Sequence, residues 1–294
     1  MPYSPLFSAV PLPFDGDLKH WWQSVKAEQL KAQPIALAIA GGAQAQTPGL
    51  AFLAGYQSAL RRLWPQAPEG LGALCVTEKR STRPADLSTR LENGCLSGTK
   101  DFVTAGSQAD WLLVAAREEG AGEKPQIALA QLAGSSVGVS VENLPALPIM
   151  SEISHGRVLL GQAMCQRLPG DGWNDYVKPF RTLEDTFVLS ALCAWLIAVG
   201  RRSQWPQVLE LKLLGLLAGC VQVAESDANA PVTHLLLAGL FAQYQGLSAE
   251  VDQAFAQSEA PLSKLWARDK NLLMLAQKAR DKRLENAWAS LLPA

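Results

Sequence analysis

Between about residues 71 and 165 the chain reads as a succession of short strands with no helix between them, and helical sequence flanks that stretch on both sides. Ala73-Leu74-Cys75-Val76-Thr77, Phe102-Val103-Thr104, Trp111 to Ala116, Ile127 to Leu132, Val137 to Val141 and Arg157 to Leu160 lie between turn residues. Asn93-Gly94, set between Leu91-Glu92 and Cys95-Leu96, is the sequence of a tight hairpin. Val137, Val139 and Val141 alternate with Gly138 and Ser140, the period of a strand with one buried face. Strands at this spacing predict an antiparallel sheet or barrel, not βαβ units. No G-x-G-x-x-G or P-loop is present.

Before this stretch, Leu50, Leu53, Ala54, Gln57, Ser58 and Leu60 recur at three- and four-residue spacing, and Pro65 stops the pattern. Pro34 and Gly41-Gly42 predict breaks further upstream. After it, Thr182-Leu183-Glu184-Asp185 has the form of a capping box opening a long apolar helix to about Ser203. Further helices are predicted from Pro206 to about Glu225, from 232 to Gln245, and from near Pro261 to about Leu291. The fold class is therefore α+β: an N-terminal helical domain over 1–70, a middle antiparallel β domain over 71–175 and a C-terminal helical bundle over 176–294.

Composition removes several functions. With 26 Lys+Arg against 27 Asp+Glu there is no basic excess to bind nucleic acid. The longest apolar run, Val188 to Gly200, falls short of the ~20 residues of a membrane span and reads as a buried core helix. The N-terminal residues lack the pattern of a signal peptide. Five scattered cysteines with no C-x-x-C pair read as free thiols in a reducing cytoplasm. His20, His155 and His234 are far apart in sequence and read as structural, so no metal site is expected. Seven basic residues between Lys264 and Arg283 read as a solvated helix face, with a phosphate-bearing ligand as the alternative.

Two segments narrow the reading. Leu74-Cys75-Val76-Thr77-Glu78 is followed by Gly98-Thr99-Lys100-Asp101-Phe102-Val103-Thr104 and then by Ala109-Asp110-Trp111. Downstream come Pro148, Arg157-Val158-Leu159-Leu160 and Leu168-Pro169-Gly170-Asp171-Gly172-Trp173. In order and spacing this resembles the middle domain of the acyl-CoA dehydrogenase family, over roughly residues 50 to 203. The resemblance implies FAD as cofactor and an acyl-CoA or other acyl thioester as substrate, oxidised by α-proton abstraction and β-hydride transfer to the flavin. It places Val76 and Thr77 on the pyrimidine edge of the flavin, Phe102 against the ring and Thr104 near N5. A flavin has a polar edge that strand-end N–H groups and hydroxyls satisfy, and an apolar face that an aromatic ring shields. Each threonine is also an ordinary β-branched strand residue. Leu183-Glu184 is similar to the context in which some members carry the catalytic base, which makes Glu184 the candidate base. An acidic residue in a helix's first turn is equally explained by the helix dipole.

Three departures accompany the resemblance. Where the family continues Pro-x-x-Gly-Ser-Asp, this chain has Lys79-Arg80-Ser81-Thr82-Arg83-Pro84-Ala85-Asp86. Lys79, Arg80 and Arg83 either grip phosphates as charges or form a solvated basic loop. No Arg-x-x-Phe-Gly segment and no C-terminal Tyr-Glu-Gly is identifiable. The alternative is thus a degenerate homologue that kept the fold for an interaction or assembly role. Apolar excess in the helices at 183–203 and 206–225 predicts a homo-oligomer, a dimer in the first instance.

Overall fold

The computed structural model describes residues 3–27, 33–118 and 126–291. Helices α1 (Ser4–Ser8), α2 (Leu18–Ala27), α3 (Pro34–Gln44) and α4 (Pro48–Leu63) come first. Thr47 caps α4 by accepting the Leu50 N–H, and Pro48 suits its first turn. Gly41 and Gly42 do not break α3. A Cβ on Gly42 would stand 2.2 Å from the Ala191 carbonyl oxygen and one on Gly41 2.6 Å from Ala54 Cβ. The pair is there because α3 is pressed against two other helices, and that packing outweighs the low helix propensity of glycine.

Among the described residues eight strands follow: β1 (Gly72–Cys75), β2 (Arg90–Glu92), β3 (Cys95–Thr104), β4 (Trp111–Glu118), β5 (Gln126–Ala133), β6 (Val139–Asn143), β7 (His155–Met164) and β8 (Gln166–Arg167). They form one sheet in the order β6-β7-β3-β2-β4-β5-β8, with β1 paired to β4. Five pairings are antiparallel; β1–β4 and β2–β4 are parallel. The turn at Asn93-Gly94 holds both residues at positive φ (50° and 75°), as a type I′ hairpin requires. Asp110 ties the sheet to the helices, accepting the Leu71 N–H at 2.8 Å and pairing with Lys19 of α2 at 2.7 Å.

A π-helical turn, Gly172–Val177, then runs into α5 (Lys178–Arg202). The cap of this unit is Asp171, whose carboxylate accepts the N–H groups of Trp173 and Asn174. The capping-box reading at Thr182 is therefore corrected. Pro179 is tolerated in the opening turn, so the helix starts before Thr182, and the buried Thr182 hydroxyl has no partner among the described residues. Helices α6 (Gln207–Ala224), α7 (Pro231–Gly246), α8 (Ser248–Ala256), α9 (Ala260–Asp269) and α10 (Gln277–Leu291) complete the chain. The single helix expected from 261 to 291 is instead two helices joined by the 3-10 turn Leu272–Ala276. That break lets the two halves fold onto different parts of the molecule.

Helix α5 is the axis of the core, buried from Phe187 to Gly200 and held between α3, α4 and α6. A Cβ on Gly55 of α4 would lie 2.6 Å from Val188 Cα, so the two helix backbones touch. Gly172–Arg202 and Gln207–Ala224 are long and apolar enough to cross a membrane; the most apolar window of the first is 94% buried inside this fold, that of the second 39%. All five cysteines are free. Among the described residues no group of His, Cys, Asp and Glu could hold a metal ion.

Candidate functional site

Val76, Thr77, Phe102, Thr104 and Glu184 line one cavity of about 180 Å³ between the sheet and α5. Tyr56, Leu74, Thr82, Val177, Phe180 and Arg181 complete its wall. Thr77 lies two residues beyond β1 and Thr104 is the last residue of β3. The two segments are tied by the Asp101 N–H donating to the Thr77 carbonyl at 2.8 Å.

A buried ion pair fixes this join. Lys100, fully buried, places its Nζ 2.6 Å from Glu78 Oε1 and 3.3 Å from the Val76 carbonyl oxygen. Glu78 also accepts from the Ser88 N–H, the Ser88 hydroxyl and the Thr89 N–H. Lys100 and these donors hold its carboxyl at about 2, against the desolvation that opposes them. Burial in turn holds the Lys100 ammonium below its ordinary range despite Glu78. One side chain thus clamps the segment Val76–Glu78 onto β3. Glu78 and Lys100 both stand in the motifs quoted above, yet their pairing across 22 positions follows only from the sheet.

Beyond Lys100 the β3–β7 register shifts, and Phe102 takes φ 55°. An aromatic residue in the left-handed region costs about 1–3 kcal/mol. The bulge turns its ring outward, 48% exposed at the rim of the cavity. Thr104 is buried and shares the cavity wall with Tyr56, whose hydroxyl accepts the Leu74 N–H at 2.8 Å. The half-buried Thr77 hydroxyl has no hydrogen-bond partner among the described residues.

Val177, the last residue of the π-helical turn, and Phe180, Arg181 and Glu184 of α5 share one helical face, and that face closes the cavity. Because α5 begins at Lys178, Glu184 lies in its second turn, beyond the first-turn amides that a helix-dipole explanation invokes. Burial first, and Asp185 next, push the Glu184 carboxyl up to about 8, against the pull of Arg283 and Arg181. Asp185 faces the other way and is bound by Arg280 at 2.9 Å and by Arg283. The basic stripe of α9 and α10 is therefore largely structural: Arg268 pairs with Glu152 and Asp269, and Arg280 and Arg283 hold α10 onto α5. Arg181 lies over the Trp173 ring at 5.2 Å.

Lys79 and Arg80, at φ 46° and 67°, make a tight turn closed by reciprocal Glu78–Ser81 backbone bonds. The Lys79 N–H is taken by Asp101 at 2.9 Å. This turn replaces the glycine loop, and its backbone presents no cradle for phosphate. The flavin ring is a different matter. An apolar wall (Leu74, Val76, Phe102, Phe180) and the hydroxyls of Thr77 and Thr104 suit a flat ring with a polar edge.

Helices before and after a mainly antiparallel sheet, with a cavity at the junction, define an acyl-CoA dehydrogenase-like fold. Particular structures bear this out. An acyl-CoA dehydrogenase from Geobacillus kaustophilus superposes with a TM-score of 0.64 at 11% identity, covering 97% of this chain and 92% of that one. A butyryl-CoA dehydrogenase from Megasphaera elsdenii gives 0.61 at 12% identity, covering 93% of this chain and 87% of that one. A glutaryl-CoA dehydrogenase from Mycobacterium smegmatis in complex with FADH2 gives 0.55 at 12% identity, covering 93% and 90%. No family model and no curated protein matches by sequence.

Proposed function

We propose that the chain binds the flavin ring of FAD in this cavity and oxidises an acyl thioester such as an acyl-CoA. The observation that carries the reading is Glu184: a desolvated carboxyl with no hydrogen-bond partner among the described residues, facing the same cavity as Thr77, Phe102 and Thr104. Val76 and Thr77 would meet the ring's pyrimidine edge, Thr104 would lie near N5 and Phe102 would cover a face. When bound, the flavin supplies the acceptor for the hydride leaving the substrate's β-carbon. Glu184, once ionised, takes the proton from the α-carbon, and burial raises its basicity toward what that step needs. Phe180, Val177 and Leu74 exclude water from the proton's path. We further propose that the exposed Val208 and Leu211 of α6 and Val232 and Leu236 of α7 are covered in a homo-oligomer, a dimer in the first instance. Light scattering at micromolar concentration tests this, a monomer being the contrary result.

Titration of the purified protein with FAD tests the main reading. The expected result is saturable binding with an absorption band near ~450 nm that an acyl-CoA bleaches under anaerobic conditions. Binding without bleaching by any thioester would favour an inherited scaffold without catalysis, a role for which the missing phosphate cradle at Lys79-Arg80 argues.

A further inference from the structure

Tyr56 of α4 forms part of the cavity wall, and it is firmly held. Its hydroxyl accepts the Leu74 N–H at 2.8 Å, its ring meets Phe180 edge-on at 5.5 Å, and Phe52 stacks on it at 5.9 Å. The ring is almost fully buried, so no solvent-filled space lies behind it. At the preceding residue, Gly55, the backbone of α4 touches that of α5 at Val188, one helical turn past Glu184. A substrate with its α-carbon at Glu184 therefore meets a wall in the direction of the core. The cavity, about 180 Å³, is smaller than the ~300–1,000 Å³ of ordinary ligand clefts. It has to admit the reacting carbons beside the flavin ring.

We propose that Tyr56 is a specificity-determining residue that limits the acyl group to a short chain, of butyryl size or smaller; this rests on the thioester-oxidising reading above. A longer chain has no channel between α4 and α5 where their backbones touch, and displacing Tyr56 breaks its hydrogen bond to Leu74 and its ring contacts together.

Calorimetric titration of the FAD-saturated protein with free coenzyme A and with acetyl-, butyryl-, octanoyl- and lauroyl-CoA tests the inference. Acetyl- and butyryl-CoA are expected to bind about tenfold or more tightly than octanoyl- and lauroyl-CoA. Octanoyl-CoA binding as tightly as butyryl-CoA overturns the inference and leaves the thioester reading standing. If no thioester binds more tightly than free coenzyme A, the thioester reading itself fails. Tyr56→Leu, which shortens the floor but keeps an apolar side chain, is expected to raise octanoyl-CoA affinity about tenfold with butyryl-CoA little changed. An unchanged ratio between the two in this variant removes Tyr56 from the role, whatever the wild-type profile shows.

Discussion

Replacing Lys100 by Met would leave Glu78 as a buried carboxylate with three hydrogen-bond donors and no cation. Both side chains are inaccessible, at 0% and 3% exposure, so water cannot take over from the ammonium. Removing one partner of such a pair costs about 3–5 kcal/mol. Holding Glu78 at about 2 instead of its ordinary 4.5 corresponds to roughly 3 kcal/mol, at about 1.36 kcal/mol for each factor of ten, for Lys100 and the Ser88 donors together net of burial. The intact pair contributes less than this, because burial of Lys100 offsets part of the gain. The wild type should accordingly hold this stabilisation above pH 4.5 and lose it as pH falls from there toward about 2. Urea unfolding at pH 7, followed by circular dichroism, should show the full loss in Lys100→Met. The double variant Lys100→Met/Glu78→Gln should recover most of it, since a neutral amide keeps an oxygen for Ser88 and Thr89. A loss below about 1 kcal/mol in the single variant, or a double variant no better than the single, would refute the assignment of a buried charge pair.

Three further outcomes are expected. Turnover of an acyl thioester should rise with pH through about 8 as Glu184 ionises; Glu184→Gln should abolish turnover and, relative to wild type, gain stability as pH increases from about 4.5 to 8, which paired activity and unfolding curves measure. Phe102→Gly should raise stability by about 1 kcal/mol in thermal unfolding by releasing the left-handed backbone, while weakening FAD binding in the absorption titration. Gly55→Val should destabilise by several kcal/mol or prevent folding, whereas Gly239→Ala, where an added methyl meets nothing, should leave the melting temperature unchanged or higher.

The sequence carried the strands well because each is short, alternating or bounded by a turn residue, and the hairpin at Asn93-Gly94 needed no tertiary information. The two-residue β8 has no such signal. Misreadings arose where tertiary contact overrode local preference. Gly41-Gly42 looked like a break and is a contact surface; Thr182 looked like a cap and lies inside a helix that Asp171 caps through a π-turn. Of the cavity wall, Val76, Thr77, Phe102, Thr104 and Glu184 were accessible through the resemblance of their motifs to a known family. Tyr56, Phe180 and Arg181 were not, since nothing in an amphipathic helix marks which of its residues faces a neighbouring sheet.

The interlocking of α5 with α3 and α4 has a consequence for biosynthesis. Ile35, Ile39, Leu50 and Leu53 belong to a core completed by a helix that begins more than a hundred residues later, at Lys178. At about 5–20 residues per second, the N-terminal helices wait several seconds at least on the ribosome with their apolar faces uncovered. The chain is therefore unable to mature from its N-terminus forward as independent units. Its yield in a cell should depend on translation speed and on holdase chaperones far more than its final compactness suggests.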